Sequence, residues 1–503
     1  MTTEPPAPRP AGFNWPGVLG LGVFALVLWA QTSALVGVFY DDGVYVTAAK
    51  ALAEGHGYRN IHLPDAPPMV KYPILYPLLL SVLWRWWPVF PANVALFQLA
   101  DAAALGAAAW IIGAHAGRIG VPPGIRYPVL ALGFAAFPLL TLVGVRFAEP
   151  LLLLLVAGAV ALADREPADP KAALAAGTLA GLAALAKTTG MCAVLGIPLS
   201  LWLRGRRRSA ILAAAPAAAL MVPWMAWVAA QAGNVDSRLT NYTPYGQVVE
   251  QTGLMPLLQG LVTLRAFWPV PQLLLPRLSA WGFVPLAVVV VALLVWGGVA
   301  SFRRAPALVV TVAIYMLTIT VWPYIPDRFV WIMMPWLGLF LAVGWGRLWR
   351  VGRTGRAVAV LVAAALAVGY LRREALSLGE RRFARLAERI SGPFRVLTAS
   401  VGAEVPPEAV VASEGESLIY LYTGRRSVPS YLFRWRGTGT AARPHQEAID
   451  YWCEAGVTHL VVTGPSDSAG TIAAQLASRS DSAAAPLFQV TGGPALYRFR
   501  CPR

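Results

Sequence analysis

Two adjacent carboxylates, Asp41 and Asp42, stand where the first long apolar run ends, in the sequence Tyr40-Asp41-Asp42-Gly43. The chain has 25 Asp and Glu in 503 residues, so neighbouring acids are unusual in it. A carboxylate accepts a proton or ligates a hard cation, and such a pair suits a general base or a divalent-metal site. It also suits a plainer task. Val44, Tyr45, Ala48, Ala49 and Leu52 recur at helical spacing up to Gly55, which predicts an amphipathic interfacial helix that the pair would cap. Both readings are open on local grounds.

Cations follow in places that could meet those acids. In Lys71-Tyr72-Pro73-Ile74-Leu75-Tyr76-Pro77 an ammonium and two tyrosines are held between prolines, as a phosphate site or as an interfacial anchor. Arg146 and Glu149 lie close together, Lys187 interrupts the apolar stretch Leu182–Met191, and Arg328 follows Tyr324 and Asp327. Charges at a membrane boundary that face one cavity are functional candidates, although Arg146 and Glu149 could also form a structural pair. Asp101 sits inside an apolar run, where it either packs helices or lines a polar cavity. Weaker signals are His56 and His62 as metal ligands, the sequon Asn241-Tyr242-Thr243, and a Cys453–Cys501 pair. Three cysteines in such a chain exclude a disulfide scaffold, and no CxxC spacing is present.

The elements that position these residues are set by composition. With 57% hydrophobic against 13% charged residues the chain is an integral membrane protein. Its 41 Lys and Arg, against 25 Asp and Glu, gather between apolar runs, a topological pattern that sets nucleic-acid binding aside. After a Pro-rich tail at 1–14, expected to be disordered, about eleven apolar spans are expected within residues 15–371, the first over 15–39. Residues 74–87 are too short to cross a core of roughly 30 Å and read as an interfacial helix. With the N-terminus inside, every short inner loop carries at least two basic residues, from Arg118 and Arg126 to Arg347, Arg350, Arg353 and Arg356. The long loops 40–92 and 232–280 and the part after 372 then lie outside. Residues 372–503 read as a small α/β domain, with strands at 409–412 and 459–463, a helix over 445–455, and a hairpin of 487–490 with 495–499. The fold class is therefore mainly α: a polytopic helical bundle with interfacial helices in its first outer loop and a C-terminal extracytoplasmic α/β domain.

Asp41-Asp42-Gly43-Val44-Tyr45, Ala49-Lys50-Ala51-Leu52-Ala53-Glu54-Gly55-His56-Gly57-Tyr58, Lys71-Tyr72-Pro73 and Tyr76-Pro77 together resemble the GT-C superfamily of polytopic glycosyltransferases. Within it the likeness is to the bacterial branch related to protein O-mannosyltransferases and lipid A aminoarabinose transferases. The resemblance covers about residues 15–350. It implies a bacterial inner-membrane enzyme that passes a sugar from a polyprenyl-phosphate donor to a lipid, glycan or protein acceptor outside. Asp41 matches the family's essential first acid, whereas Asp42 stands where the family often has Glu. Glu149 matches a second acid that begins the fourth helix, Lys71 matches a lysine before Pro, and Arg328-Phe329 matches an Arg-Tyr pair only in part.

The minimal chemical set is Asp41 as base, with Lys71, Lys187, Arg328 and Arg146 as candidates for the departing phosphate. Asp42 and Glu149 are further catalytic candidates, and Tyr45, Tyr72, Tyr76 and Tyr324 are candidates for contacting substrate. The residues point to no certain cofactor, and a divalent metal, if one takes part, falls to Asp41 and Asp42. The competing readings are a sugar-lipid transporter or flippase, which usually shows repeated halves or matched broken helices not found here, and a non-catalytic scaffold of envelope glycan assembly.

Overall fold

The computed structural model describes residues 13–502 apart from 168, 323–325, 437–438, 465–466 and 479–482. It is mainly helical, with mixed sheet confined to the C-terminal part. In lipid the backbone must satisfy its own hydrogen bonds, and each apolar run accordingly contains a helix. Among the described residues four helices are long and apolar enough to cross a membrane: Val94–Ile119, Arg207–Asn234, Ala280–Ser301 and Arg353–Gly379. Pro123–Phe134 and Phe137–Val143 make a fifth if their 53° bend lies within one span. Trp15–Trp29, Glu149–Ala163, Pro170–Ala186, Thr188–Leu203 and Pro306–Thr320 are apolar but shorter. Small residues let the bundle close. Where Ala280–Ser301 meets Met334–Leu348, a Cβ on Gly297 would come within 1.8 Å of the Phe340 carbonyl oxygen.

The first apolar run departs from expectation. Its helix stops at Trp29, and residues 30–40 are irregular, with a turn over 36–39. The cause is tertiary: the Leu35 and Val36 amides donate to Ser391 Oγ and Tyr422 Oη, both at 3.1 Å, so this apolar stretch is covered by the C-terminal part. The next helix, Asp41–Ala53, begins at the acidic pair and ends before Gly55, as the spacing predicts. It is not an amphipathic surface helix, because every residue from Asp41 to Ala49 is buried. Leu75–Trp86 forms the short helix expected of residues 74–87.

Beyond Arg372 the helix Arg353–Gly379 continues, and Arg382–Glu404 follows it. Among the described residues seven short strands come next: β1 (Val410–Ser413), β2 (Arg426–Pro429), β3 (Phe433–Arg436), β4 (Gly439–Ala442), β5 (Val457–Val462), β6 (Ala484–Gln489) and β7 (Ala495–Phe499). Five form one sheet in the order β2-β1-β5-β7-β6, with β2, β1 and β5 parallel and β7 antiparallel to both neighbours. β3 and β4 pair as a separate hairpin. The helix Glu416–Thr423 connects β1 to β2, and His445–Glu454 precedes β5. β1, β5, the β6–β7 hairpin and the helix before β5 match the expected elements. Cys453 and Cys501 form a disulfide, their Cα atoms 5.6 Å apart.

Candidate active site

Asp41 opens its helix in a constrained way. The preceding Tyr40 has φ 67°, a left-handed conformation that L-residues with bulky side chains avoid unless their surroundings impose it. The turn aims the Asp41 carboxylate at two donors: Tyr72 Oη donates to Oδ1 at 2.6 Å and Arg328 Nη2 to Oδ2 at 2.5 Å. Burial alone would raise the Asp41 pKa. The charges of Arg328 and Lys187, with the two hydrogen bonds, outweigh it and hold the carboxyl below its ordinary value. Burial likewise opposes the Arg328 charge, but Asp41 and Glu149 push its pKa up.

Asp42 faces the other way. Its carboxylate accepts the amides of Gly37 at 2.7 Å and Phe39 at 3.1 Å, and so ties the turn before the helix. Burial pushes it up to about 6 despite those bonds. The acidic pair is thus divided between a pocket and a turn, and offers no shared metal cradle. Among the described residues no three His, Cys, Asp or Glu side chains gather as metal ligands, and His62 is instead buried against Tyr242 Oη at 2.8 Å.

A second ion pair stands beside the first. Lys187 leaves the end of Pro170–Ala186 with extended backbone, and its Nζ donates to Glu149 Oε1 at 2.6 Å, at the start of Glu149–Ala163. Phe147 and Phe329 join the two pairs. Lys187 Nζ lies 5.3 Å from the Phe329 ring centroid and 5.9 Å from that of Phe147, while Arg328 lies 4.9 and 5.3 Å from the same rings. Asp41, Tyr45, Tyr72, Lys187 and Arg328 line one small pocket, closed by Pro73, Thr188, Thr189, Tyr245, Trp322 and Phe329. Lys71 is buried behind Tyr72 and Tyr245, its Nζ 5.9 and 5.5 Å from their ring centroids. The larger hollow between Val129, Gly338, Trp345 and Tyr370 is apolar and carries no acid or base chemistry.

Other candidates are placed apart from this pocket. Arg146 reaches Asp101 at 3.3 Å and Gln31 Oε1 at 2.8 Å rather than Glu149, and Tyr76 Oη donates to Asp101 Oδ1 at 3.1 Å. This answers the role of Asp101: it closes a buried polar cluster within the bundle. Tyr76 still supports the pocket wall, with its ring edge-on to Tyr45 at 5.2 Å. Tyr324 lies outside the described residues. Phe147, Tyr245, Trp322 and the two threonines after Lys187 were not singled out in sequence, where they look like ordinary boundary residues.

Arg328→Gln should leave burial as the main influence on Asp41 and raise its pKa. A base works only when ionised, so the acidic limb of a transfer-rate profile should move to higher pH. Rates measured between pH 4 and 9 check this, and an unmoved limb would separate Arg328 from the Asp41 titration.

The fold is similar to that of solved membrane transferases, in line with the GT-C resemblance drawn from the first-loop residues. Two solved structures carry the comparison. ArnT from Cupriavidus metallidurans, solved with undecaprenyl phosphate, superposes with a TM-score of 0.55 at 14% identity over 96% of this chain and 97% of its own. The archaeal oligosaccharyltransferase AglB from Archaeoglobus fulgidus, solved with an inhibitory peptide and a dolichol-phosphate, gives 0.54 at 10% identity over 97% of this chain and 74% of its own. No family model matches the chain, and no curated protein matches it by sequence.

Proposed function

We propose that the protein is a glycosyltransferase that moves a sugar from a polyprenyl-phosphate donor to an acceptor hydroxyl on the extracytoplasmic face. The observation that carries this reading is the convergence of Asp41, Arg328 and Lys187 on one pocket. An acceptor hydroxyl is a poor nucleophile until its proton is drawn off, and a phosphate departs readily only if its charge is met. In the proposed step the acceptor oxygen bonds to the anomeric carbon while its proton passes to Asp41. The bond from that carbon to the phosphate oxygen breaks, with inversion, and the polyprenyl phosphate leaves toward Arg328 and Lys187, with Lys71 adding positive charge behind the tyrosines. Arg328 pairs with Asp41 at 2.5 Å. A donor phosphate that draws it away would release Asp41 as a stronger base.

The proposal includes about eleven crossings, an inside N-terminus and an outside C-terminal part in a bacterial inner membrane, supported by the arginine distribution. It keeps Arg146 and Glu149 as the support of the pocket rather than as groups that touch the donor, because Arg146 is 2% exposed and Glu149 1%. The acceptor class, whether lipid, glycan or protein, is left to the assay. Membranes containing the chain, supplied with radiolabelled polyprenyl-phosphate sugars, should release labelled product and free polyprenyl phosphate in equal amounts. Label that crosses the bilayer still attached to its lipid would replace this reading with a flippase.

A further inference from the structure

A buried polar cluster outside the pocket ties the C-terminal part to the Asp41 turn. Glu416, at the start of the helix Glu416–Thr423, is 1% exposed. Tyr242 Oη donates to its Oε1 at 2.5 Å. Since the tyrosine hydroxyl has one proton and spends it on Glu416, His62 must use Nε2–H to donate to Tyr242 Oη at 2.8 Å. His62 Nδ1 is buried without a partner among the described residues, which fits that neutral tautomer. The ring of Tyr40 packs on Tyr242 at 6.1 Å, and its hydroxyl is buried in front of Glu416. Tyr40 is the left-handed residue that sets the direction of Asp41, and Tyr242 lies three positions before Tyr245 of the pocket wall.

The backbone around Asp41 is pressed against the same helix. A Cβ on Gly37, itself at φ 103°, would come within 2.6 Å of Leu418 Cβ, and one on Gly43 within 2.2 Å of Ser417 Oγ. These approaches bracket Asp41 on both sides. A merely packed contact would not need a carboxylate there, and burying one without an attached cation is costly.

We infer that Glu416 is a positioning residue for Asp41: as the acceptor of Tyr242 and the group facing Tyr40, it holds together the two loops that build the pocket and makes transfer depend on the C-terminal part. This deepens the function proposed above and rests on it for its kinetic consequence, though not for the physical tie. Glu416 accepts the Tyr242 hydroxyl at Oε1, and in the ionised form its second oxygen is a further charged acceptor on the side of Tyr40. Burial pushes its carboxyl up to about 7, against the hydrogen bond of Tyr242 and the nearby Tyr40 hydroxyl, with Glu414 adding repulsion. Tyr451 also senses its charge. The raised value means that ionisation costs stability as pH rises toward 7, so the charge is kept at the expense of the fold.

The test uses the full chain in lipid nanodiscs, as native protein, Glu416→Gln and Tyr242→Phe, with amide hydrogen exchange and transfer kinetics read at pH 6 and pH 8. Glu416→Gln should speed exchange in residues 37–45 and 239–245 about tenfold at pH 8, the weight of one ordinary hydrogen bond. Its unfolding midpoint should be unchanged or higher, and its kcat about tenfold lower at constant donor KM. With intrinsic exchange rates divided out, the native chain should keep its protection in both segments at pH 6 and pH 8, because a raised carboxyl value means that protonation does not weaken the closed arrangement. Tyr242→Phe should reproduce the local effect and serves if Glu416→Gln does not fold. Unchanged exchange in 37–45 in the folded variants, or a uniform rise across the chain, would overturn the inference. A native chain that transfers no sugar, while its variants show the local loosening, would instead count against the function proposed above.

Discussion

Asp41→Asn is expected to lower sugar transfer by roughly 10²–10⁴-fold, the range carried by a positioned general base. Asparagine keeps the size of the side chain and an oxygen that can accept from Tyr72, but it cannot take the acceptor's proton. The substitution also dissolves the ion pair with Arg328, 2.5 Å away in the native chain. Donor binding should therefore be retained or strengthened, because the freed guanidinium is left to the phosphate. Transfer rates and donor affinity measured on the same preparations check both halves. A variant that transfers normally would remove Asp41 from the proton step. One that loses donor binding in proportion to rate would recast it as a binding residue.

Lys187→Met is expected to be the most destabilising single change in the site. It strands the Glu149 carboxylate, 1% exposed and paired at 2.6 Å in the native chain, in an apolar setting. Breaking a buried pair from one side costs about 3–5 kcal/mol, whereas removing both charges costs far less. The double variant Lys187→Met with Glu149→Gln should therefore recover most of the lost stability in heat or denaturant unfolding of the detergent-solubilised protein. Transfer should stay low in the double variant, since the ammonium facing the pocket is still missing. Recovery of transfer along with stability would make the pair purely structural.

The two predictions draw on residues that were legible in sequence to different degrees. Asp41 was found by its neighbour and by its place at the end of an apolar run. Lys187 was found because an ammonium in an apolar stretch needs a reason. Their partners were not legible. Arg328 lies 287 positions from Asp41 and Lys187 38 from Glu149, and nothing local says which acid meets which cation. Arg146 shows the same limit from the other side, for it stands three residues before Glu149 yet turns to Asp101. Arg146 lies in the irregular stretch before the helix that Glu149 begins, so helical spacing does not bring the two side chains to one face and packing decides which way each one turns.

Composition and apolar run length determined a great deal by themselves: a membrane protein and the places of its helices. These follow from the cost of leaving polar groups in lipid, which acts residue by residue and is written along the chain. The C-terminal strands β1, β5, β6 and β7 were readable for a similar reason, as apolar runs between turn residues, while β2 and the β3–β4 hairpin were too short and polar to stand out. Only the tertiary structure decided that the first helix ends at Trp29, that Asp42 serves a turn while Asp41 faces the pocket, and that Glu416 and Tyr242 reach the Asp41 turn. Each of those depends on burial by a segment remote in sequence, and burial sets both the cost of a charge and the partner that must meet it.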